Sequence, residues 1–348
     1  MRIVVTGATG NVGTSVLAAL ARDPAVEEIV GIARRVPSRP HPRTRWVGAD
    51  IVTSPLEKLF AGADAVINLA WLIQPSRDGA ALRAVNVDGS RRVFEAAARA
   101  GVPALVHASS VGVYSRGPKD RRVDESWPRD GIPTSFYSRH KAEAERLLDA
   151  FEDELRIVRL RPALVFKRQA AAEIRRLFIG PLLPSPLVRR RLIPILPLPG
   201  GLALQAVHSL DVGEAYRLAT TSPDARGAYN VAAEPVLDAD ALGRLLGARV
   251  VTLPPRVVRA VVLATWRARL QPTPPGWLDM GMQVPLLDSS RARAELGWAP
   301  RHDAGEALLE LLDGLRRSDG FDTPPLDPRA GGRARLSEWP PGGGRGAP

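Results

Sequence analysis

A glycine-rich turn within the first 20 residues constrains the fold of this chain more than any other feature. The apolar run at residues 3–5 predicts a buried strand, and glycines follow it at positions 7, 10 and 13. Apolar residues then recur at helical spacing from Val12 to Leu20. A strand that turns through glycines directly into a helix predicts the first half of a βαβ unit.

The alternation of short apolar runs with amphipathic segments continues to about residue 165. Further strands are expected near residues 29–33, 46–47, 65–67, 105–107 and 155–160. Strands that alternate with helices pair in parallel, because each crossover helix returns the chain to the same edge of the sheet. The sequence therefore predicts an α/β fold with a Rossmann-type doubly wound parallel sheet, whose ligand lies at the carboxyl ends of the strands.

The spacing of the three glycines predicts a dinucleotide-binding turn. Gly7 permits a tight turn, Gly10 lets the backbone approach a pyrophosphate, and Gly13 allows the helix to pack closely on the strand. The helix that begins here offers free N–H groups and a positive dipole end to the phosphates. The remaining loop residues assigned to this site are Thr9, Asn11 and Val12.

Two arginines at the end of the second predicted strand bear on the choice of cofactor. An NAD site usually carries an acidic residue here, whereas this chain has Arg34 and Arg35. A guanidinium suits a 2′-phosphate, so NADP is the expected cofactor, with NAD as the alternative if these are ordinary surface arginines. Asp50 and Ile51, after the third predicted strand, are expected to hold the adenine; an aspartate that merely closes a turn is the alternative.

A tyrosine and a lysine mark a second site. Tyr137 and Lys141 are separated by four residues in a predicted helix, so they lie on one face, a turn apart. A cation beside a phenol lowers the phenol pKa toward the working pH, which makes a usable acid or base. Ser110 ends the fifth predicted strand, where its hydroxyl would face the cofactor and bind a substrate oxygen.

Several motifs give these residues a familiar order. Besides the glycine turn, the serine and the Tyr-x-x-x-Lys pair, the chain carries Asn68-Leu69-Ala70, Asn86-Val87-Asp88-Gly89, Arg161-Pro162, Val207-His208-x-x-Asp211-Val212 and Leu296-Gly297-Trp298-x-Pro300. Over about residues 1–316 the chain resembles the extended short-chain dehydrogenase/reductases, the NAD(P)-dependent epimerase/dehydratase group.

The resemblance implies a role for each matching residue. Tyr137 would be the proton donor or acceptor, Lys141 would bind the nicotinamide ribose and lower the tyrosine pKa, and Ser110 would orient the substrate oxygen. Further cofactor contacts would come from Leu69, Ala70, Asn86 and Pro162.

Domain boundaries follow from the change in pattern after residue 165. Residues 1–165 are expected to form the NADP-binding Rossmann domain, to which later segments near 205–232 contribute. Residues 166–316 are expected to form a smaller mixed α/β lobe that binds substrate. Residues 317–348 are rich in Pro, Gly and Arg and lack periodicity, so a disordered tail is expected.

The sequence favours an apolar substrate over a nucleotide sugar. Nucleotide-sugar members of the group commonly carry an asparagine soon after the sixth strand, and the segment Arg161 to Lys167 has none. Residues 177–204 are also unusually apolar. The favoured function is an oxidoreductase that moves a hydride to or from a carbonyl or alcohol. A nucleotide-sugar epimerase or dehydratase without net redox, and a non-catalytic NADP-sensing protein, are the alternatives.

Composition narrows the partners and the location. The formal net charge is +11, but the basic residues are spread along an arginine-rich chain without a stripe of interleaved aromatics, so no nucleic-acid partner is expected. The absence of cysteine and of close histidine pairs argues against a metal site. With no signal peptide or transmembrane run evident, a cytoplasmic enzyme acting on a small molecule is expected, and a homodimer stays an option.

One segment of the second lobe invites a further interpretation. Residues 254–270 combine valines with four arginines, and an arginine-flanked amphipathic helix can lie on an anionic membrane. We favour the alternative, a lobe helix that buries its apolar face against the substrate pocket.

Overall fold

The computed structural model describes residues 1–73, 77–179, 194–323 and 325–328. The strands are β1 (Arg2–Thr6), β2 (Glu28–Ala33), β3 (Thr44–Gly48), β4 (Ala65–Asn68), β5 (Ala104–Ala108), β6 (Arg122–Val123), β7 (Arg156–Pro162), β8 (Leu164–Phe166), β9 (Ile195–Pro199), β10 (Ala203–His208), β11 (Gly227–Val231), β12 (Ala233–Asp238), β13 (Arg249–Leu253) and β14 (Leu286–Leu287).

The helices are α1 (Asn11–Leu20), α2 (Leu56–Phe60), α3 (Gly79–Arg83), α4 (Gly89–Arg99), α5 (Phe136–Asp149), α6 (Ala171–Ile174), α7 (Ser209–Thr221), α8 (Ala239–Leu246), α9 (Pro255–Arg267), α10 (Pro275–Gln283), α11 (Ser290–Leu296) and α12 (Ala304–Arg317). Short 3-10 turns occur at Val111–Val113 and Arg168–Ala170, and π-helical turns at Ala84–Asp88 and Arg175–Ile179.

Seven parallel strands form the main sheet, in the order β11-β7-β5-β4-β1-β2-β3. Successive side chains of β1 serve the two faces: Ile3 and Val5 pack with α1 and α7, whereas Val4 packs with α2 and α4. Because both faces are covered, the strands read as continuous apolar runs. The predicted doubly wound α/β fold is confirmed.

The second lobe consists of small sheets. Strands β12, β10 and β8 form one of three strands, β13 pairs with β9, and β14 pairs with β6. Strand β11 joins the edge of the main sheet through β7, so a segment after residue 205 completes this sheet. The fold thus carries the chain out of the sheet into the lobe and back again.

Strands in the second lobe differ from the sequence interpretation. The proline-punctuated segment yields β9, which contains two prolines and pairs only with β13 within the described residues. Proline is tolerated in such an edge pairing because its missing N–H can face away from the partner strand. Residues 180–193 of the apolar segment lie outside the described residues.

Helix α9 also differs from the favoured interpretation. Its inward Val258, Val262 and Leu263 are only half-buried, and none of its residues lines the cavity. Val257 and Val261 are 51% and 56% exposed. No helix within the described ranges is long and apolar enough to span a membrane.

The start of the expected disordered tail packs on the body of the protein. Leu326 is fully buried, and the Arg176 side chain donates hydrogen bonds to the backbone carbonyls of Pro325 and Asp327. The overall composition of the tail does not predict this packing, because it depends on a single buried leucine. Residues 329–348 lie outside the described residues.

Candidate active site

The glycine turn between β1 and α1 has two positions at which packing requires glycine. Gly7 has a φ of +67°, and a Cβ there would lie 2.7 Å from the backbone nitrogen of Ala70. A Cβ at Gly13 would overlap the carbonyl oxygen of Gly7. At Gly10 the nearest surrounding atom would be 3.5 Å from a Cβ, so protein packing does not exclude a side chain. The glycine at position 10 keeps the space in front of the turn free.

This free space fits the phosphates of a dinucleotide. Within the described chain, no side chain caps the first N–H groups of α1, and its first turn carries no acidic residue. Such N–H groups and the positive end of the helix dipole attract a phosphate group. The turn is therefore chemically suited to a pyrophosphate.

A cavity of about 360 Å³ runs from this turn to α5. Most of the predicted site residues line it: Gly7, Thr9, Gly10, Asn11, Val12, Gly13, Arg34, Asp50, Ile51, Leu69, Ala70, Ser110, Tyr137, Lys141 and Pro162. The fold thus brings the glycine turn and the Tyr-Lys-Ser set to one continuous cavity.

Two predicted site residues do not line the cavity. Arg35 is exposed beside Arg34. Asn86 is fully buried, and its side-chain amide accepts from the Leu72 N–H at 2.6 Å and donates to the Leu72 carbonyl at 3.0 Å. Asn86 therefore holds the cavity-wall segment that carries Leu72 in place. Asp50 lines the cavity while its carboxylate accepts from the Val52 N–H at 2.8 Å, as in the turn alternative.

Tyr137 lies in the first turn of α5 and shares a hydrogen bond with Ser110. Burial raises the pKa of Tyr137 to about 12, and the hydrogen bond with Ser110 lowers it only in part. Ser110 also accepts from the Gly112 N–H at 3.0 Å, which fixes its position at the end of β5. The phenol therefore carries its proton at neutral pH, beside the Ser110 hydroxyl.

The Lys141 ammonium is held by groups other than the Tyr137 hydroxyl. Its Nζ donates to the Ala108 carbonyl at 2.7 Å and lies 3.4 Å from the centroid of the Trp71 ring. The same atom is 5.7 Å from the centroid of the Tyr137 ring. Burial lowers the pKa of Lys141 well below its ordinary value, while Glu145 raises it. Burial of the phenol therefore sets the direction of the Tyr137 pKa shift, because the Lys141 ammonium contacts Ala108 and Trp71 instead.

A buried ion pair supports the back of the site. Arg161 donates to both carboxylate oxygens of Glu145, at 2.9 and 2.6 Å, and to the Tyr114 hydroxyl at 2.9 Å. Ser109 donates its hydroxyl to Glu145 as well. Ser109 is therefore committed to the interior, which leaves Ser110 as the serine that contacts Tyr137.

Sequence reasoning missed the residues that give the cavity its character. Trp277 packs on Tyr137 with ring centroids 4.9 Å apart, and Trp71 approaches the same ring edge-on at 6.1 Å. Met280 and Phe178 extend this apolar wall. Glu173 also lines the cavity, and burial raises its pKa to about 7 against the lowering effects of Arg176 and Lys167. Only the position of Trp71, directly after the Leu69-Ala70 motif, was a usable signal.

One group of residues has donor atoms close enough for a metal ion. His208, Asp211 and His302 place them within 4.8 Å of one another, although the two histidines are distant in sequence. Their polar atoms already have protein partners: the His302 ring bonds Asp211 at 3.0 Å, and the His208 ring bonds Glu310 at 3.1 Å. These contacts join the start of α7 to α12, which explains the cluster as a structural clasp.

The sequence profile of the NAD dependent epimerase/dehydratase family matches residues 3–232, more than half of the chain. The chain belongs to this family. The matched residues include the glycine turn, Ser110 and the Tyr-x-x-x-Lys pair.

The chain spans about a third of the length of the first curated relatives it matches. The uncharacterized protein Rv2047c of Mycobacterium tuberculosis is 28% identical over 324 residues, which are 92% of this chain and 31% of that protein. A 4-hydroxy-2-methyl-3-oxo-4-farnesyl-3,4-dihydroquinoline-1-oxide ketoreductase of Stigmatella aurantiaca is 31% identical over 155 residues, 42% of this chain and 45% of its own. The decarboxylating sterol-4-alpha-carboxylate 3-dehydrogenase of Saccharomyces cerevisiae is 38% identical over 85 residues, 24% of each chain.

Solved structures of the family share the fold. The UDP-glucose 4-epimerase of Thermotoga maritima superposes with a TM-score of 0.68 over 91% of this chain and 99% of its own, at 21% identity. At this identity the likeness shows that the two proteins share the fold. It gives no information on the substrate of this chain.

Proposed function

We propose that this enzyme transfers a hydride between NADP(H) and the carbonyl or alcohol group of an apolar small molecule. The observation that carries the proposal is the common cavity: the Tyr137–Ser110 pair lies between the glycine turn on one side and an apolar wall on the other. A proton donor therefore stands where a reacting oxygen could approach both cofactor and hydroxyls.

The chemistry divides between cofactor and protein. A bound nicotinamide supplies or accepts the hydride. Tyr137 gives its proton to the carbonyl oxygen as the alcohol forms, and takes it back in the oxidative direction. Ser110 donates a hydrogen bond to the same oxygen, while Lys141 contributes to binding the ribose. The protonated phenol is the form that donates in the reductive direction.

The wall of the cavity supports an apolar substrate. Trp71, Trp277, Met280, Leu177 and Phe178 line the region around Tyr137, and aromatic and aliphatic walls bind apolar ligands by removing them from water. Two of the relatives are named for a farnesylated dihydroquinoline oxide and a sterol carboxylate. Both names describe molecules with a large apolar part, a farnesyl chain and a sterol skeleton, which agrees with a cavity of this kind.

The cofactor preference rests on Arg34. It lines the cavity at the carboxyl end of β2, where a guanidinium would meet a ribose 2′-phosphate. NADP is therefore the proposed cofactor, and NAD is the alternative, since the solved relatives bind it.

A panel of reductions tests the proposal. Purified protein is incubated with NADPH and, separately, a steroid ketone, a farnesylated quinone, a long-chain aldehyde and UDP-glucose, and absorbance at the NADPH band is followed. We expect NADPH consumption with at least one apolar carbonyl compound and none with UDP-glucose. Conversion of UDP-glucose to its epimer without loss of NADPH would contradict the proposal and favour an epimerase. NADPH binding without turnover of any compound would favour a non-catalytic sensor.

A further inference from the structure

The outward face of α9 is apolar, the reverse of an ordinary surface helix. Surface helices bury their apolar stripe and present polar residues to water. The exposed positions of α9 at spacing i, i+3, i+4, i+7 and i+11 are Val257, Ala260, Val261, Ala264 and, at its C-terminal cap, Ala268. These positions form one continuous stripe along three turns of the helix. The stripe is therefore an apolar surface in contact with solvent.

The opposite face of α9 contacts the protein through the half-buried Val258 and Val262 and through polar contacts. Arg259 forms a two-bond ion pair with Asp279 of α10, at 2.8 and 3.0 Å. Trp266 is half-buried, with the Arg77 guanidinium 4.4 Å from its ring centroid. These contacts fix the rotation of the helix about its axis, so the apolar stripe is held outward.

The charges around the stripe have one sign. Residues 241–278 contain six arginines and no aspartate or glutamate. Arg256 and Arg267 are exposed, lie three turns apart along one edge of the stripe, and form no ion pair with any residue that the structure describes. Nearby exposed apolar residues are Leu270, Ile195 on β9 and Val251 on β13. An apolar face bordered by cations matches the acyl and headgroup layers of an anionic membrane.

We infer that α9 docks this enzyme on an anionic lipid bilayer, with Val257 and Val261 entering the acyl boundary and Arg256 and Arg267 contacting lipid phosphates. A second copy of the chain fits the stripe less well. In a two-fold symmetric contact each stripe would face its own copy, and this stretch supplies arginines without a carboxylate to pair with them.

The docked orientation would bring the cavity to the bilayer. Helix α9 packs on α10, whose Trp277 lines the cavity and contacts Tyr137. Phe178, 38% exposed, lies against Trp277 with ring centroids 5.4 Å apart. A membrane-dissolved substrate would therefore meet apolar side chains from the surface to the reacting group. This last consequence rests on the proposed function, whereas the docking itself does not.

Flotation with vesicles tests the inference. The full chain is mixed at 150 mM salt with vesicles of phosphatidylcholine and phosphatidylglycerol in equal parts, or of phosphatidylcholine alone. We expect the protein to bind the mixed vesicles. Its affinity for the neutral vesicles should be lower by about tenfold or more. V257E/V261E should weaken binding to mixed vesicles by about tenfold or more. R256Q/R267Q should weaken it about ten- to thirtyfold and reduce its salt dependence.

Matched controls separate the stripe from general surface effects. Leu210 on α7 is 42% exposed, so L210E places a carboxylate on an exposed leucine elsewhere. R22Q/R116Q removes two exposed arginines outside α9. Both controls should bind vesicles as the unmodified protein does. V257S/V261S, a milder change, should give an intermediate loss if V257E/V261E is poorly folded by circular dichroism.

Several results would overturn the inference. These are failure of the unmodified protein to float with mixed vesicles, an equal loss in L210E, or a vesicle-free dimer that V257E/V261E dissociates in sedimentation velocity. NADPH affinity and turnover of a water-soluble ketone, measured without vesicles, report separately on the proposed function. Vesicle binding without turnover would refute the proposed function alone, and turnover without vesicle binding would refute the docking alone.

Discussion

Replacing Glu145 by glutamine removes the negative charge from a buried ion pair behind the active site. Glu145 is fully buried and receives two hydrogen bonds from Arg161 and one from Ser109. Loss of one partner of such a pair leaves an uncompensated buried charge, which costs about 3–5 kcal/mol. We expect E145Q to lower the free energy of unfolding by that amount and the melting temperature by about 5–10 °C.

Glu143, on the same helix, provides a matched control. It forms an analogous two-bond pair with Arg83, at 2.8 and 2.6 Å, but the side chains are 30% and 46% exposed. Exposed pairs contribute about 0–1 kcal/mol, so E143Q should cost no more than that. The assay is urea unfolding followed by circular dichroism, with the m-value checked for constancy. Equal losses in E143Q and E145Q would refute the argument that burial makes this pair important.

The pH dependence of the same pair has a defined sign. Burial alone would raise the pKa of Glu145, but hydrogen bonds and the charge of Arg161 hold it below its ordinary value of 4.5. A lowered pKa in the folded state contributes stability that is present above pH 4.5 and lost as pH falls through the folded pKa. The difference between E145Q and the unmodified protein should therefore shrink as the pH is lowered below 4.5.

Three further predictions follow from single contacts. Burial raises the pKa of Glu173 to about 7, so the cavity wall gains a negative charge above that pH. The KM for an apolar substrate should therefore rise above pH 7 in the unmodified protein but not in E173Q. A rise that persists in E173Q would exclude Glu173 as its cause. Leu326 is fully buried and Phe321 is 40% exposed, so L326A should cost about 2–5 kcal/mol of unfolding free energy and F321A much less; an L326A variant with unchanged urea midpoint would show that the tail contributes nothing. R34A should abolish a preference for NADPH over NADH in cofactor titrations, whereas R35A, which lies off the cavity, should retain it; equal effects would indicate a general charge contribution.

The nucleotide-binding half was predictable because its signals are local. The inner strands β1, β2, β4 and β5 contain short apolar runs beside amphipathic helices. The glycine turn has a spacing that only a close approach of backbone requires. The second lobe was less predictable. Strand β9 contains two prolines, and it forms only because β13, about 50 residues later, supplies a partner. Pairing between distant segments leaves no periodic signal in either one.

The placement of the candidate residues was predictable, and their electrostatics were not. Tyr137, Ser110 and Lys141 line one cavity, but the pKa of Tyr137 depends on how many atoms surround the phenol and on where the ammonium lies. Trp277 arrives from a helix 140 residues away, so no local pattern connects it with Tyr137. The aromatic part of the cavity wall could therefore not be predicted from the sequence.

The central claim is that Tyr137 supplies the proton for hydride transfer, and its removal is the most direct test. Y137F keeps the ring that packs on Trp277 and deletes only the hydroxyl. With the best carbonyl substrate from the NADPH panel, kcat should fall by about 100-fold or more, the usual contribution of a positioned acid, while NADPH affinity stays unchanged. Near-normal kcat in Y137F, with NADPH still bound, would contradict the account.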